Sequence, residues 1–318
     1  MTVGRTPELS AAYQACRAIA KREAKNFYYS FRVLPPYKSD AMCAVYAFMR
    51  KADDLADEES LPLDSRRHAM AEWTESWRAS RSSPSDNPIF LALNDTQQRF
   101  NISDDLLEQL VAGTTLDLHP NPEGVHTLDV KLPNGTSRAI QVYDSFASLH
   151  HYCYLVASVV GLVCIRIFGY TDRRADQLAI DTGVAFQLTN ILRDIKEDAE
   201  RGRIYLPADL LRDNDVDPAR ILALTAGDEP RSNELSLLLG LELHAQTLYR
   251  SADELIPLLD ADARPSMRVL VTIYHDLLDR IAASPTAVFR ERVSVPTSSK
   301  LGTLAVGVLQ SCKARLIG

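Results

Sequence analysis

Phe186-Gln187-Leu188-Thr189-Asn190-Ile191-Leu192-Arg193-Asp194-Ile195-Lys196-Glu197-Asp198 reads as a helix with two unlike faces. Gln187, Asn190, Asp194 and Asp198 follow one another at three- and four-residue steps and form a continuous polar stripe, while Phe186, Ile191 and Ile195 give the other side an apolar surface. A polar stripe turned toward a core is costly unless its groups are paired or bind a metal ion. The plain alternative is a solvated stripe in which Lys196 and Arg201 form helix ion pairs. The stretch runs on through Arg203, Tyr205 and Pro207.

Upstream, Asp53-Asp54-Leu55-Ala56-Asp57, followed by Glu58 and Glu59, repeats the four-residue carboxylate spacing. Like charges one helical turn apart repel, and acids at a helix C-terminus oppose its dipole. Taken alone the quartet reads as a solvated acidic helix end. Taken with the second motif it suits Mg²⁺, with Mn²⁺ as a substitute, because such ions take a few carboxylates and complete their shell with water and phosphate oxygens. Arg50 and Tyr46 lie on the same face as Asp53 and Asp57.

The rest of the chain limits the alternatives. It has 318 residues, with 35 Lys and Arg against 42 Asp and Glu and a net charge of −7, so it lacks the basic footprint expected of a nucleic-acid binder. Five cysteines without a CxxC pair read as reduced thiols of a cytosolic protein. No secretory leader is expected at the N-terminus, and the apolar run from Tyr152 to Ile165 reads as a buried core helix. His150-His151 is not expected to bind zinc, since adjacent residues point to different helix faces.

Periodicity predicts an almost wholly α-helical single domain over 1–318, with helices near 8–26, 37–59, 63–80, 88–99, 103–118, 144–168, 172–200, 217–224, 231–259, 264–283 and 301–315. Asn87-Pro88 and Asp217-Pro218 read as helix starts, and Gly169 as a helix end. Residues 127–142 alternate around Asn134-Gly135, which predicts a two-stranded hairpin projecting from the helical body. Residues 227–233 read as a surface loop.

In their order and spacing these motifs resemble the squalene/phytoene synthase family, the head-to-head isoprenyl diphosphate synthases, from Tyr13 to Leu301. The resemblance rests on Phe27-Tyr28-Tyr29 before Leu34-Pro35-Pro36, on Tyr46-x-x-x-Arg50 with Asp53-x-x-x-Asp57, and on Tyr152-x-Tyr154 with Val156 to Gly161. Gln187-x-x-Asn190-x-x-Arg193-Asp194-x-x-x-Asp198 and Arg203-x-Tyr205-Leu206-Pro207 complete the set. It implies an isoprenoid synthase fold around a deep apolar cavity. Asp53, Asp57, Asn190, Asp194 and Asp198 would then be metal ligands, and Arg50, Arg193, Arg203, Tyr205, Arg292 and Lys300 diphosphate contacts. Tyr46 and Tyr274 would be active-site tyrosines, and Phe27, Ala157, Val160, Gly161 and Gln187 substrate contacts.

The chain departs from the family in two places. Glu23-Ala24-Lys25-Asn26 stands where relatives carry a hydroxyl-rich element, so Lys25 and Asn26 are candidate diphosphate contacts, and the hairpin reads as an insertion.

The resemblance, closest to the bacterial presqualene diphosphate and squalene synthases of the hopanoid pathway, implies condensation of two farnesyl diphosphates. A phytoene synthase using geranylgeranyl diphosphate is the alternative. An NADPH-using squalene synthase lacks a nicotinamide motif here. A non-catalytic family relative acting in binding or assembly would be expected to have lost its aspartates, and both quartets are intact. Lipophilic substrates imply transient contact with the inner membrane surface, with the apolar run 304–309 as the candidate contact. Oligomeric state is not legible.

Overall fold

The computed structural model describes residues 5–58, 60–119, 122–131 and 137–317. The chain begins with α1 (Pro7–Glu23), α2 (Lys25–Phe31), α3 (Pro36–Ala56), α4 (Leu63–Ser80), α5 (Pro88–Arg99) and α6 (Asp104–Thr115). Strands β1 (Val125–Lys131) and β2 (Ser137–Tyr143) follow, then α7 (Phe146–Cys153), a π-helical turn (Tyr154–Ser158) and α8 (Val159–Phe168). Next come α9 (Arg174–Arg193), α10 (Ile195–Glu200), β3 (Arg203–Ile204), α11 (Ala208–Asp213) and α12 (Pro218–Thr225), and the chain closes with α13 (Ser232–Leu255), α14 (Arg264–Ala283) and α15 (Thr297–Ile317).

The local signals behave as their chemistry requires. Asn87 Oδ1 accepts from the Ile89 amide at 2.9 Å and Asp217 Oδ1 from Ala219 at 2.7 Å, each capping a helix with proline in its first turn. Gly169 ends α8 at φ 77°, where a Cβ would lie 2.0 Å from Asp260 Oδ2. Lys38 is buried and donates to the Phe168 carbonyl at 2.7 Å and to Asp262 at 2.6 Å, so its ammonium satisfies the C-terminal end of α8.

The predicted helix over 144–168 is one apolar rod interrupted by the π turn. From Phe146 to Phe168 it counts 23 residues with a window of mean hydropathy 1.8, long and apolar enough by length and composition to cross a membrane. It packs instead against α3, α6 and α9, with Leu149, Cys153, Val159, Val163 and Ile167 fully buried. One connected core of buried residues runs from Ala12 to Val295. Cys16, Cys43 and Cys153 are packed within it as small apolar groups.

Rod and α9 approach closely. A Cβ on Gly183 would lie 2.5 Å from the Ser158 Cα and 2.7 Å from its amide nitrogen, and Ser158 Oγ donates to the Ile180 carbonyl at 2.7 Å. This contact sits against the π turn.

Several expectations need correction. The first predicted helix is two, because the chain turns at Ala24 between α1 and α2. The predicted 172–200 helix changes direction at Asp194, where φ −102° and ψ 11° leave α geometry and start α10. The hairpin exists with register Val125↔Tyr143, and Asn134-Gly135 lies outside the described residues. It does not project: β2 pairs in parallel with β3, and Ile140 and Val142 are fully buried. A two-residue strand carries too little pattern to be seen in sequence.

The Gly183→Ala substitution is expected to cost about 1–3 kcal/mol in chemical unfolding, because the contact is with backbone that cannot swing aside. An unfolding midpoint equal to wild type would show that the seam yields.

Candidate active site

The break at Asp194 organises one end of the site. Arg193 Nε donates to Asp194 Oδ1 at 2.7 Å and its Nη2 bonds Oδ2. Arg292 Nε reaches Asp194 Oδ1 at 3.0 Å, and Arg292 Nη1 lies 3.5 Å from Glu197. Two guanidiniums thus hold one carboxylate where α9 turns into α10.

One turn earlier, Asn190 Nδ2 donates to Gln187 Oε1 at 3.3 Å, while Asn190 Oδ1 is buried without a hydrogen-bond partner. One turn later Asp198 is half-buried. Burial, then the Asp194 charge, push its carboxyl up to about 7, against the pull of Arg201 and Arg203.

The other quartet lies at the end of α3. Asp53 is half-buried and Asp57 is exposed at the helix end, its amide donating to the Asp53 carbonyl at 2.8 Å. Arg50 pairs with Asp54 at 2.6 Å, and its Nε is buried without a partner. The guanidinium therefore engages the acid between the two motif aspartates.

Aromatic side chains connect the two ends. Tyr46 on α3 meets Phe31 on α2 at 6.3 Å, and Phe27, one turn before Phe31, meets Tyr274 on α14 at 5.8 Å. Tyr274 stacks on Phe186 of α9 at 4.4 Å. Burial raises the Tyr274 hydroxyl, with Arg193 and a hydrogen bond from Asn190 acting against it. Burial likewise pushes Tyr46 up to about 12, so both phenols stay protonated donors at neutral pH.

On the rod, Ala157, Val160, Gly161 and Cys164 each keep some accessible surface, and Val160 and Cys164 also pack against the core. Burial nevertheless pushes the Cys164 thiol up to about 12. Phe168 falls on the same helical stripe and is buried. Gly161 also serves packing: a Cβ there would lie 3.1 Å from the Ala179 carbonyl.

Arg203 and Tyr205, on β3 and just after it, line a cavity of about 160 Å³ and, with Asp198, a smaller pocket beside α10. Lys300 is half-buried on the first turn of α15, and the Lys25 and Asn26 side chains lie outside the described residues. On α15, Leu304 is buried and Gly307 abuts Val269, while Val306, Val308 and Leu309 are exposed, so only part of the run expected to touch a membrane faces outward.

Sequence reasoning missed Phe186 as the stacking partner of Tyr274, having read it only as apolar packing, and missed Gln141 and Tyr143 at the cavity. Strand alternation against Ile140 and Val142 was the available signal for the latter pair.

Among the described residues no three carboxylate, histidine or cysteine side chains converge into a closed metal cage. The donor chemistry still suits a hard cation. The orphaned Asn190 Oδ1 is a neutral oxygen acceptor lacking a partner, with Asp194 one turn on and Asp198 two turns on along the same stripe.

The comparisons agree with this architecture. The family model "Squalene/phytoene synthase" matches residues 20–299. A phytoene synthase from Arthrospira platensis is 31% identical over 325 residues, covering 96% of each chain, and one from Mycobacterium tuberculosis is 31% identical over 310 residues, covering 96% of this chain and 93% of the relative. A dehydrosqualene synthase crystal structure superposes with TM-score 0.77 at 25% identity, covering 94% of this chain and 96% of that one. The squalene synthase HpnC from Alicyclobacillus acidocaldarius gives 0.75 at 22% identity, covering 90% and 98%, and speaks for the fold. Fold and relatives define a prenyltransferase with the isoprenoid synthase fold. The chain belongs to the squalene/phytoene synthase family.

In carbon-13 NMR of the metal-free protein, one aspartate carboxyl should titrate near pH 7, vanish in Asp198→Asn and move higher in Arg203→Gln. Because this folded-state value lies above the usual carboxylate range, the group adds stability as pH falls below 7 and loses it as pH rises through 7. A carboxyl titrating only in the usual range would contradict the burial argument.

Proposed function

We propose that this protein joins two molecules of farnesyl diphosphate head to head, forming a cyclopropyl diphosphate and then a C30 product. The observation that carries the reading is the cluster at Asn190, Arg193, Asp194 and Arg292, charged and hydrogen-bonding, at the end of an aromatic wall built by Phe27, Tyr274 and Phe186. Cationic groups suited to a diphosphate there adjoin surfaces suited to a prenyl tail.

Asp53, Asp57, Asn190, Asp194 and Asp198 would hold Mg²⁺. When bound, the ion supplies Lewis-acid neutralisation of the departing diphosphate. Arg193 and Arg292 supply fixed positive charge, with Arg50, Arg203 and Tyr205 as further contacts. The donor C1–O bond breaks with its electron pair leaving on diphosphate, and the acceptor double bond captures the allylic cation. Loss of a proton to the released diphosphate closes the three-membered ring. A second ionisation releases the remaining diphosphate, rearrangement gives a C30 cation, and loss of a proton to that diphosphate leaves the hydrocarbon. The partly exposed rings of Phe27 and Phe186, backed by the buried Tyr274, are suited to stabilise positive charge, and the apolar wall excludes water.

The accessible strip on the rod bears on tail length. From Ala157 to Cys164 it spans about 10 Å at the helical rise, and Phe168 fills the next turn. This supports the shorter tail. The second reading, geranylgeranyl diphosphate and a C40 product, is favoured by the names of the 31%-identical relatives, which are phytoene synthases.

Incubation of each diphosphate with Mg²⁺ and identification of products decides between the two, a C40 product alone overturning the first. Phe168→Leu is expected to raise the C40 share when both substrates are offered, and an unchanged ratio would remove Phe168 as the end wall. Asp53→Ala and Asp194→Ala should each lower turnover by about 10³-fold or more with the helical circular-dichroism signal kept. Unchanged turnover would refute the site.

A further inference from the structure

The hairpin is joined to the segment that carries two of the proposed diphosphate contacts. Gln141 pairs with Arg203 and Val142 with Ile204, and the Gln141 amide donates to the Gly202 carbonyl at 2.8 Å. Gly202 adopts φ 78°, and a Cβ there would lie 3.1 Å from the Ala139 carbonyl, so the approach of the two chains is tight. Arg138 adds a hydrogen bond to the Glu200 carbonyl. Alternation along β2 sends Ile140 and Val142 into the core and Gln141 and Tyr143 to the cavity of about 160 Å³ that Arg203 and Tyr205 also line.

In that cavity three tyrosines form one cluster. Tyr143 stacks on Tyr205 with centroids 5.6 Å apart at 26°, Tyr152 lies 5.1 Å from Tyr205 and 5.4 Å from Tyr143, and the Tyr152 and Tyr205 hydroxyls are 3.4 Å apart. The Tyr205 ring therefore has one neighbour from the rod and one from the hairpin.

We propose that Tyr143 is a positioning residue: its ring, delivered by the hairpin, fixes Tyr205 and with it the Arg203–Tyr205 segment for the substrate diphosphate. The inference rests on the prenyl diphosphate reading above. Tyr143 itself need not touch substrate. Stacking supplies the constraint, so the ring matters and the hydroxyl does not.

The test uses the full chain with Mg²⁺ and whichever prenyl diphosphate the wild type turns over. Tyr143→Leu keeps apolar volume without a ring, and Tyr143→Phe keeps the ring. Expected are a rise of about tenfold in KM with kcat changed less than about threefold for Tyr143→Leu, weaker inhibition by inorganic diphosphate, and recovery of both in Tyr143→Phe. Wild-type KM and diphosphate inhibition in a folded Tyr143→Leu would overturn the inference. So would failure of Tyr143→Phe to recover them. Loss of the native helical signal by Tyr143→Leu would assign the ring to folding and equally overturn it. A wild type inactive on every prenyl diphosphate would refute the parent reading instead.

Discussion

The seam between the Phe146–Phe168 rod and α9 is the constraint on which the remainder depends. Gly183 lets the Ser158 backbone come to a distance no side chain would permit, and Ser158 returns a hydrogen bond to the Ile180 carbonyl. The π turn lies at this contact. It inserts an extra residue into the helical ladder and so resets which residues of α8 face inward. The accessible strip of Ala157, Val160, Gly161 and Cys164 begins in the turn and continues along α8. The same seam fixes α9, whose far end carries Asn190 and Arg193.

At that far end the electrostatics are poised and not simply acidic. Two arginines hold Asp194, and Asp198 is left with a carboxyl that burial and its neighbour drive toward neutrality. The orphaned Asn190 oxygen is a cost that the fold carries. A cation–diphosphate pair would answer all three features: it would satisfy the amide oxygen, favour ionised Asp198 and offer the arginines a second anion. Strain of this kind is expected where binding and not folding is the purpose.

The hairpin changes meaning once its neighbours are known. As sequence it was an insertion with turn chemistry at its tip. In the fold its second strand is the edge on which β3 is laid, so an element absent from the helical plan becomes a wall beside Arg203 and Tyr205. The Asp53–Asp57 quartet changed less, except that Arg50 turned to Asp54. A salt bridge one turn apart on an exposed helix end is governed by local rotamers, which spacing cannot choose between.

Sequence by itself determined the helical class, the proline and glycine boundaries, the central apolar rod, and the family through motifs whose order and spacing the chain shares with it. Those features are local, being written in periodicities and caps that each segment expresses on its own. Tertiary structure decided the turn at Asp194, the clamp that Arg292 closes from the far end of the chain, the stack of Tyr274 on Phe186 and the docking of β2 on β3. Each of these joins residues distant in sequence through contacts that only packing geometry selects. That is why the polar stripe was legible as a motif, while the arrangement holding it became visible only in the folded chain.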